Sequence, residues 1–308
     1  MRAHIARVIS VNSLRASCIA ILLGLGVSSP ALAQTGSSTS TVPRNGFYVG
    51  LGASFNSVNT DIQHVFAVGT SDVFNSAGTK VQTGTADGPP APVFMHTQSS
   101  FAPAAQGGYF QHFANTDWLW GAKASYSYLN TTSTTQNALI PQVGSFTTLS
   151  TGAVTPFTGN ALISYAQTTV VQQMTLIPIF GHSFERSFVY VGVGPTLSQL
   201  RTNLNGLVGF ADINGVHTDV SGPPQNFSGA NWVYGFGGTV GATYFLSNSW
   251  FVDFTYTYAQ TKDQTASFAS TFANPNGANG TSLTGTLVGN STWKAITQSF
   301  GVTINKLF

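Results

Sequence analysis

Charge is scarce in this chain of 308 residues, where Asp, Glu, Lys and Arg together make up 6%. An ordinary soluble domain carries roughly 25%. Long apolar runs are also missing, since none reaches the about 20 residues that a membrane-spanning helix needs. Cysteine occurs once, as Cys18. Disorder is excluded from the other side, because a disordered chain would hold fewer aromatics and more charge. Present instead are 33 glycines and many Ser, Thr, Asn and Gln residues, beside a hydrophobic fraction of 42%. An apolar half and an uncharged polar half, with no spanning helix, fit a barrel with one face to lipid and one to a lumen.

The first 33 residues read as a removable leader rather than as fold. Arg2, Arg7 and Arg15 form a basic front, Ile19 to Val27 is a short apolar run, and Ala31-Leu32-Ala33 supplies small residues for cleavage before Gln34. Cys18 lies at the front of the apolar run, not after it, so lipidation is not expected. Cleavage would leave no cysteine and no disulfide. It would also take three arginines from the 11 Lys/Arg, leaving eight against nine Asp/Glu, a net charge of −1. No basic footprint for nucleic acid survives. Residues 34–46, rich in Ser and Thr, read as a flexible lead-in.

From residue 47 to 308 the chain alternates aromatic-rich runs of period two with polar connections. Period two is the strand signal, because successive side chains point to opposite faces. Eight strands are expected, at about 47–62, 101–113, 117–131, 162–184, 188–202, 231–246, 250–261 and 292–308. In the third, Trp118, Trp120, Ala122, Ala124, Tyr126 and Tyr128 share a face. In the seventh, Trp250, Val252, Phe254, Tyr256 and Tyr258 stand opposite Asp253, Thr255 and Thr257. Three connections are tight, near residues 115, 186 and 248. Four are long and polar, at about 63–100, 132–161, 203–230 and 262–291. Short and long alternate strictly, as in an antiparallel up-and-down transmembrane β-barrel. An even count closes without an edge. A soluble β-sandwich would bury its aromatics and expose charge, whereas here the face opposite the aromatics is mostly Gly, Ser and Thr. Val65, Ala67 and Val68 in the first long connection leave a ten-stranded barrel open.

Tryptophan placement fits the same picture. Trp118 and Trp250 fall at strand starts beside the short turns, and Trp232 and Trp293 at strand starts beside the long connections. That spacing predicts an aromatic girdle at each interface. Lys123 and Asp253 are the inward charges, on strands three and seven. These strands oppose one another in a ring of eight, so the two side chains are expected to meet across the lumen. Separate solvation of each by lumen water is the alternative. Pro178 and Pro195 fall inside strands four and five, where proline cannot donate to the ladder; a bulge or weakened pairing is expected there. Strand four also changes phase, with Ile163, Tyr165 and Val171 odd but Met174, Leu176 and Phe180 even.

The last strand alternates Phe300, Val302 and Ile304 and ends on Phe308. This resembles the C-terminal signal read by the barrel-assembly machinery. With the leader and about eight strands, the chain resembles the small OmpA-type outer-membrane barrels, and among them the surface-antigen and opacity-like proteins of alphaproteobacteria. The resemblance implies export to a bacterial outer membrane with both termini periplasmic, and contact with lipid and lipopolysaccharide. It departs from the type in having no peptidoglycan-binding domain after Phe308, so cell-wall anchoring is not carried over.

Catalytic, metal and cofactor residues are not assigned. His182 and Ser183 are sequence neighbours, so on a strand they face opposite ways and cannot pair directly. His64, His96 and His217 lie in long connections near Asp61, Asp87, Asp212 and Asp219, without metal-ligand spacing. Gly192-Val193-Gly194 runs into a proline on a strand, not into a helix start. The reading is a structural or surface-antigen barrel whose outer loops bind host, phage or lipopolysaccharide components. The alternative is a small porin, with lumen glycines Gly50, Gly52, Gly121, Gly235, Gly237, Gly241 and Gly301 leaving room for water. Neither the ligand nor the oligomeric state is legible.

Overall fold

Alternation of β-branched and aromatic residues with Gly, Ser and Thr drives nearly the whole chain into strands. The computed structural model describes residues 42–60, 62–277 and 280–308. The leader, its cleavage residues Ala31, Ala33 and Gln34, and residues 34–41 of the lead-in lie outside the described residues. In chain order the strands are β1 (Asn45–Asn59), β2 (Ile62–Phe74), β3 (Lys80–Asp87), β4 (Ala91–Phe94) and β5 (Gln98–His112). Next come β6 (Trp118–Ser127), β7 (Thr131–Thr148), β8 (Val154–Ser183), β9 (Ser187–Ile213) and β10 (Val216–Asp219). The last are β11 (Gln225–Ser247), β12 (Trp250–Thr261), β13 (Gln264–Asn274), β14 (Ser282–Trp293) and β15 (Ile296–Leu307).

Eight of these close a ring in the order β1-β5-β6-β8-β9-β11-β12-β15. The closing ladder joins β15 to β1, from Tyr48 opposite Leu307 to Asn59 opposite Ile296. The three tight turns all lie at one end of the ring, the turn end. In the first of them Asn115 takes a left-handed conformation (φ 58°), one that asparagine tolerates better than most residues. The ring is therefore eight-stranded. Val65 and Ala67 are buried on β2, but β2 pairs with β14, β3 and β4 beyond the ring.

The long connections differ from expectation. They are not loops but a second, β-rich storey at the opposite, loop end. β8 and β9 run 30 and 27 residues, and their far halves carry a sheet that continues through β7, β3, β2, β14 and β13. β13 then returns to β11 through side chains. Phe227 and Phe268 stack at 4.5 Å, and Ser270 Oγ donates to Gln225 Oε1 at 2.8 Å. This extension has an apolar interior of its own, including Val65, Ile140, Ile163, Leu204 and Leu207. Threonine-rich runs such as β7 lack the strong alternation of the ring strands, yet threonine suits a pleated surface.

Both anomalies of strand four have separate causes. Around the prolines, ladder partners cease between Thr175–Thr196 and Ile179–Gly192, yet the register is the same on either side. The prolines thus remove ladder bonds without adding a bulge. The inward set changes twice. Ile163 is buried but Tyr165 exposed, after which Ala166, Thr168 and Val170 face inward. A register shift between Val170 and Gln172, opposite Leu200 and Gln199, then returns it to odd residues.

Candidate functional site

The interior of the ring is filled in layers that can be read along the inward face of β9. Phe188 and Tyr190 come first, then Gly194, Thr196 and Ser198, then Leu200. At the turn end an apolar floor gathers Tyr48, Phe110, Leu119, Phe188, Phe245 and Phe251, with Val42 of the lead-in packed among them. Val42 and Asn45, within the expected lead-in of 34–46, are thus packed with the ring. The lumen face is also not the uniform Gly, Ser and Thr surface expected. Near the turns, adjacent residues such as Tyr109 and Phe110 put one ring outward and the next inward.

Above the floor, Lys123 of β6 and Asp253 of β12 meet at 2.6 Å, with only 5% and 2% of their side-chain surfaces exposed. β6 and β12 lie four places apart in the ring. All three ammonium protons find acceptors, on Asp253 Oδ2, Tyr190 Oη (2.7 Å) and Thr255 Oγ1 (2.8 Å). The carboxylate also accepts from Tyr190 Oη (3.0 Å), Thr255 Oγ1 (3.0 Å) and Gln106 Nε2 (2.9 Å). Gln106 passes the network on to Asn305 at 2.8 Å. A buried pair is tolerable only when its remaining hydrogen-bonding positions are filled in this way. Neither Tyr190 nor Gln106 is singled out by the sequence, since both are uncharged, their ladder partners are Gly and Ser, and their inward phase is the only signal.

Over the pair lies a hydroxyl-lined cavity of about 50 Å³, bordered by Ser54, Ser125, Thr175, Thr239, Thr257 and Ser299, enough for a water or two. An apolar ceiling of Val58, Leu129, Val170, Leu200, Val233 and Trp293 covers it. The lumen glycines mostly leave no room for water. A methyl group at Gly241 would strike the Tyr190 ring, one at Gly50 the Asn305 side chain, and one at Gly121 or Gly235 the neighbouring backbone. Gly241 thus makes room for the Tyr190 ring and Gly50 for the Asn305 side chain, whereas at Gly301 nothing lies closer than 4.0 Å.

Trp118, Trp232 and Trp250 are 44–48% exposed on the outer face. Trp293 is a correction to the expected girdle: it is 2% exposed, faces inward and belongs to the ceiling. It ends β14 rather than starting the last strand, and the two-residue break at Lys294-Ala295 resets the phase of β15. Phe300, Val302, Ile304 and Phe308 all point outward, 47–75% exposed. Lys306 Nζ lies 5.2 Å over the Trp250 ring and donates to Ser249 at 3.0 Å.

Histidines are placed in two ways. His217 lies 3.3 Å from Asp212 on the exposed surface of the extension. His112, by contrast, is buried at the turn end. Its Nδ1 lies 2.9 Å from the Arg44 carbonyl, and its Nε2 2.5 Å from Ser183 Oγ. A carbonyl can only accept, so Nδ1 carries the proton and Nε2 accepts from the serine. His182 and Ser183 do face opposite ways, and the partner of Ser183 is instead His112, which comes from β5. The pair is sealed beneath the floor and ties the lead-in to β8. Among the described residues, no three His, Cys, Asp or Glu side chains gather in a way that could hold a metal ion.

Comparison with known proteins agrees with this architecture. No curated protein matches the sequence. Among solved structures, OprG of Pseudomonas aeruginosa aligns over 87% of this chain and 99% of its own, at 11% identity and a TM-score of 0.35. Neisserial surface protein A aligns over 85% and 97%, at 11% identity and 0.30. Ail of Yersinia pestis aligns over 79% and 98%, at 10% identity and 0.24. The family model of the outer membrane protein beta-barrel domain matches residues 19–290. The chain therefore belongs to that family, and its place is the bacterial outer membrane.

Proposed function

We propose that this protein is a closed surface scaffold: a sealed eight-stranded anchor presenting a folded β-extension to the outside of the cell. The observation that carries the reading is the layered lumen, in which an apolar floor, a satisfied ion pair and an apolar ceiling follow one another. A ring of eight strands is only wide enough for side chains to fill it, and here the Tyr190 ring fills the space beside Gly241. The barrel then has no chemistry of its own, and recognition falls to the extension. Its ligands are a host, phage or lipopolysaccharide component.

In this reading residues 1–33 are removed on export. The short turns and both termini face the periplasm. The outward row Phe300, Val302, Ile304 and Phe308 is what the assembly machinery reads. The Lys123–Asp253 pair serves as an internal brace, and the protein is not an enzyme.

Two measurements test this. Reconstituted in a planar bilayer, the folded mature protein is expected to leave the baseline current flat; stable discrete steps would move the assignment to a narrow porin. Orientation is read independently with Asn214→Cys, which places a lone thiol in the exposed β9–β10 turn. A membrane-impermeant maleimide should label it on intact cells. Labelling only after lysis would invert the topology.

A further inference from the structure

The lipid-facing side of the ring carries a furrow that neither the lumen nor the extension uses. Gly238 on β11 is flanked by Val193 of β9 and Tyr258 of β12. Two depressions, of about 820 and 630 Å³, meet at these three residues. The upper one is walled by Tyr234 and Phe236 and reaches Lys262, Asp263 and Lys294 at the loop end. The lower one continues past Val240 and Val191 to Pro178. From Tyr234 to Val240 the strand advances about 20 Å at about 3.3 Å per residue. At the usual tilt of about 35–45° this is a depth of about 15 Å, half of the roughly 30 Å hydrocarbon core. The furrow therefore runs from the loop-end interface to the midplane, through one leaflet.

Charge is sorted to match. Arg201 pairs with Ala230, just beyond the girdle residue Trp232, and the amide of Lys262 bonds the Tyr234 carbonyl at 2.9 Å. Lys294 precedes Ala295, whose carbonyl takes the Thr261 amide. Arg201 lies on β9 beside the furrow, and Lys262 and Lys294 line its mouth, with Asp263 the one carboxylate among its described lining residues. Farther out the balance reverses: Asp72, Asp87, Asp212 and Asp219 stand against Lys80. An anionic headgroup would be drawn to the interfacial belt and repelled from the tip. Interfacial cations over a shallow apolar furrow are complementary to a phosphorylated lipid of the outer leaflet.

We propose that the furrow seats one acyl chain of lipid A, the phosphorylated glucosamine lipid of that leaflet, with a phosphate held at Lys262 and Lys294. The proposal rests on the orientation assigned above, since an inner-leaflet phospholipid would meet the opposite end of the ring. Gly238 supplies the floor, and it can be filled without strain. A methyl group there meets only Val193 Cγ1 at 3.6 Å and the Gly192 carbonyl at 3.7 Å.

The test is native mass spectrometry of the folded mature protein in micelles, titrated with bisphosphorylated lipid A or with phosphatidylglycerol. Lipid A should be retained preferentially as a single adduct. Lys262→Gln with Lys294→Gln should weaken it about thirtyfold, the effect of two interfacial cations. Gly238→Leu, which fills the furrow and leaves the charges in place, should weaken it about fivefold. Heat-modifiable gel migration checks that each variant is folded. Equal retention of phosphatidylglycerol, no retention of lipid A, or unchanged lipid A binding in either variant overturns the proposal. Bilayer conductance and Asn214→Cys labelling respond to neither set of substitutions, so failure here is distinguishable from failure of the scaffold reading.

Discussion

Replacing Lys123 by Met and Asp253 by Leu, singly and together, probes how the lumen is braced. Removing one partner of a buried pair costs about 3–5 kcal/mol, because the other charge is left without its counterion. The two single variants should differ. Without Lys123, Asp253 keeps donors from Tyr190, Gln106 and Thr255, so Lys123→Met should fall at the low end, about 3 kcal/mol. Without Asp253, the ammonium keeps only the neutral oxygens of Tyr190 and Thr255, and Asp253→Leu should cost about 5 kcal/mol. The double variant removes both charges. It should cost about 5 kcal/mol rather than the sum of about 8, a coupling of about 3 kcal/mol. Urea unfolding of vesicle-embedded protein, followed by tryptophan emission and gel mobility, gives the numbers. Additivity within about 0.5 kcal/mol would refute direct coupling and leave each charge solvated separately by lumen water.

Trp293 gives a prediction about depth and direction. In single-tryptophan variants, lipids with brominated acyl chains should quench Trp232 and leave Trp293 bright, because Trp293 is enclosed in the ceiling; equal quenching would return it to the girdle. Ser183→Ala should cost about 1–3 kcal/mol in the same unfolding assay by stranding the buried ring nitrogen of His112, and no loss would mean that the latch contributes nothing. At the tip of the extension, hydrogen bonds from Lys80, and then from Thr83, hold the Asp72 carboxyl below the usual carboxylate range. A depressed folded value means that this stabilisation is fully present above the ordinary carboxylate range and is lost as pH falls through the folded value. Amide protection of the β2–β3 hairpin should therefore be flat down to about pH 5 and decline only in acid. In Asp72→Asn the acid decline should shrink; an unchanged profile would exclude this pair as its source.

The ring was legible because its outward face is dictated by lipid. Alternation of Trp118, Trp120 and Ala122, or of Phe300, Val302 and Ile304, leaves little doubt about which face is which. Less legible was whatever lipid does not dictate. Phe110, Phe245 and Phe251 look like further outward aromatics until the turn fixes their phase, and only ring closure brings them together as a floor. Trp293 was misplaced because the break at Lys294-Ala295, two residues long, carries no glycine or proline to announce it. The extension was hidden for a compositional reason. Its Ser, Thr, Gly and Asn residues are those of loops, while its apolar residues are spread thinly over seven strands. Single segments are too weakly patterned to identify, and they become strands by completing one another's ladders.

That the connections are strands also bears on how the molecule could bind anything. A long flexible loop must be ordered on binding, at a cost of about 0.5–1.5 kcal/mol for each side chain immobilised. In the extension this ordering has already occurred on folding, through ladders such as β7–β8 and β13–β14 and an interior packed around Ile140 and Leu204. In the proposed orientation, what the outside of the cell meets is a preformed shape with an acidic tip, held above a cationic belt. Such a shape favours a partner that complements it as it stands, and it makes substitutions within the extension's core costly to binding even where they touch no ligand. Ile140→Ala, fully buried in the extension's interior, is thus a sharper probe of the scaffold reading than deletion of a whole hairpin. It should loosen the extension and leave the ring intact, so that lost binding with an unchanged ring assigns recognition to the preformed extension. Binding that survived a demonstrably loosened extension would show that shape outside the ring is not what the partner reads.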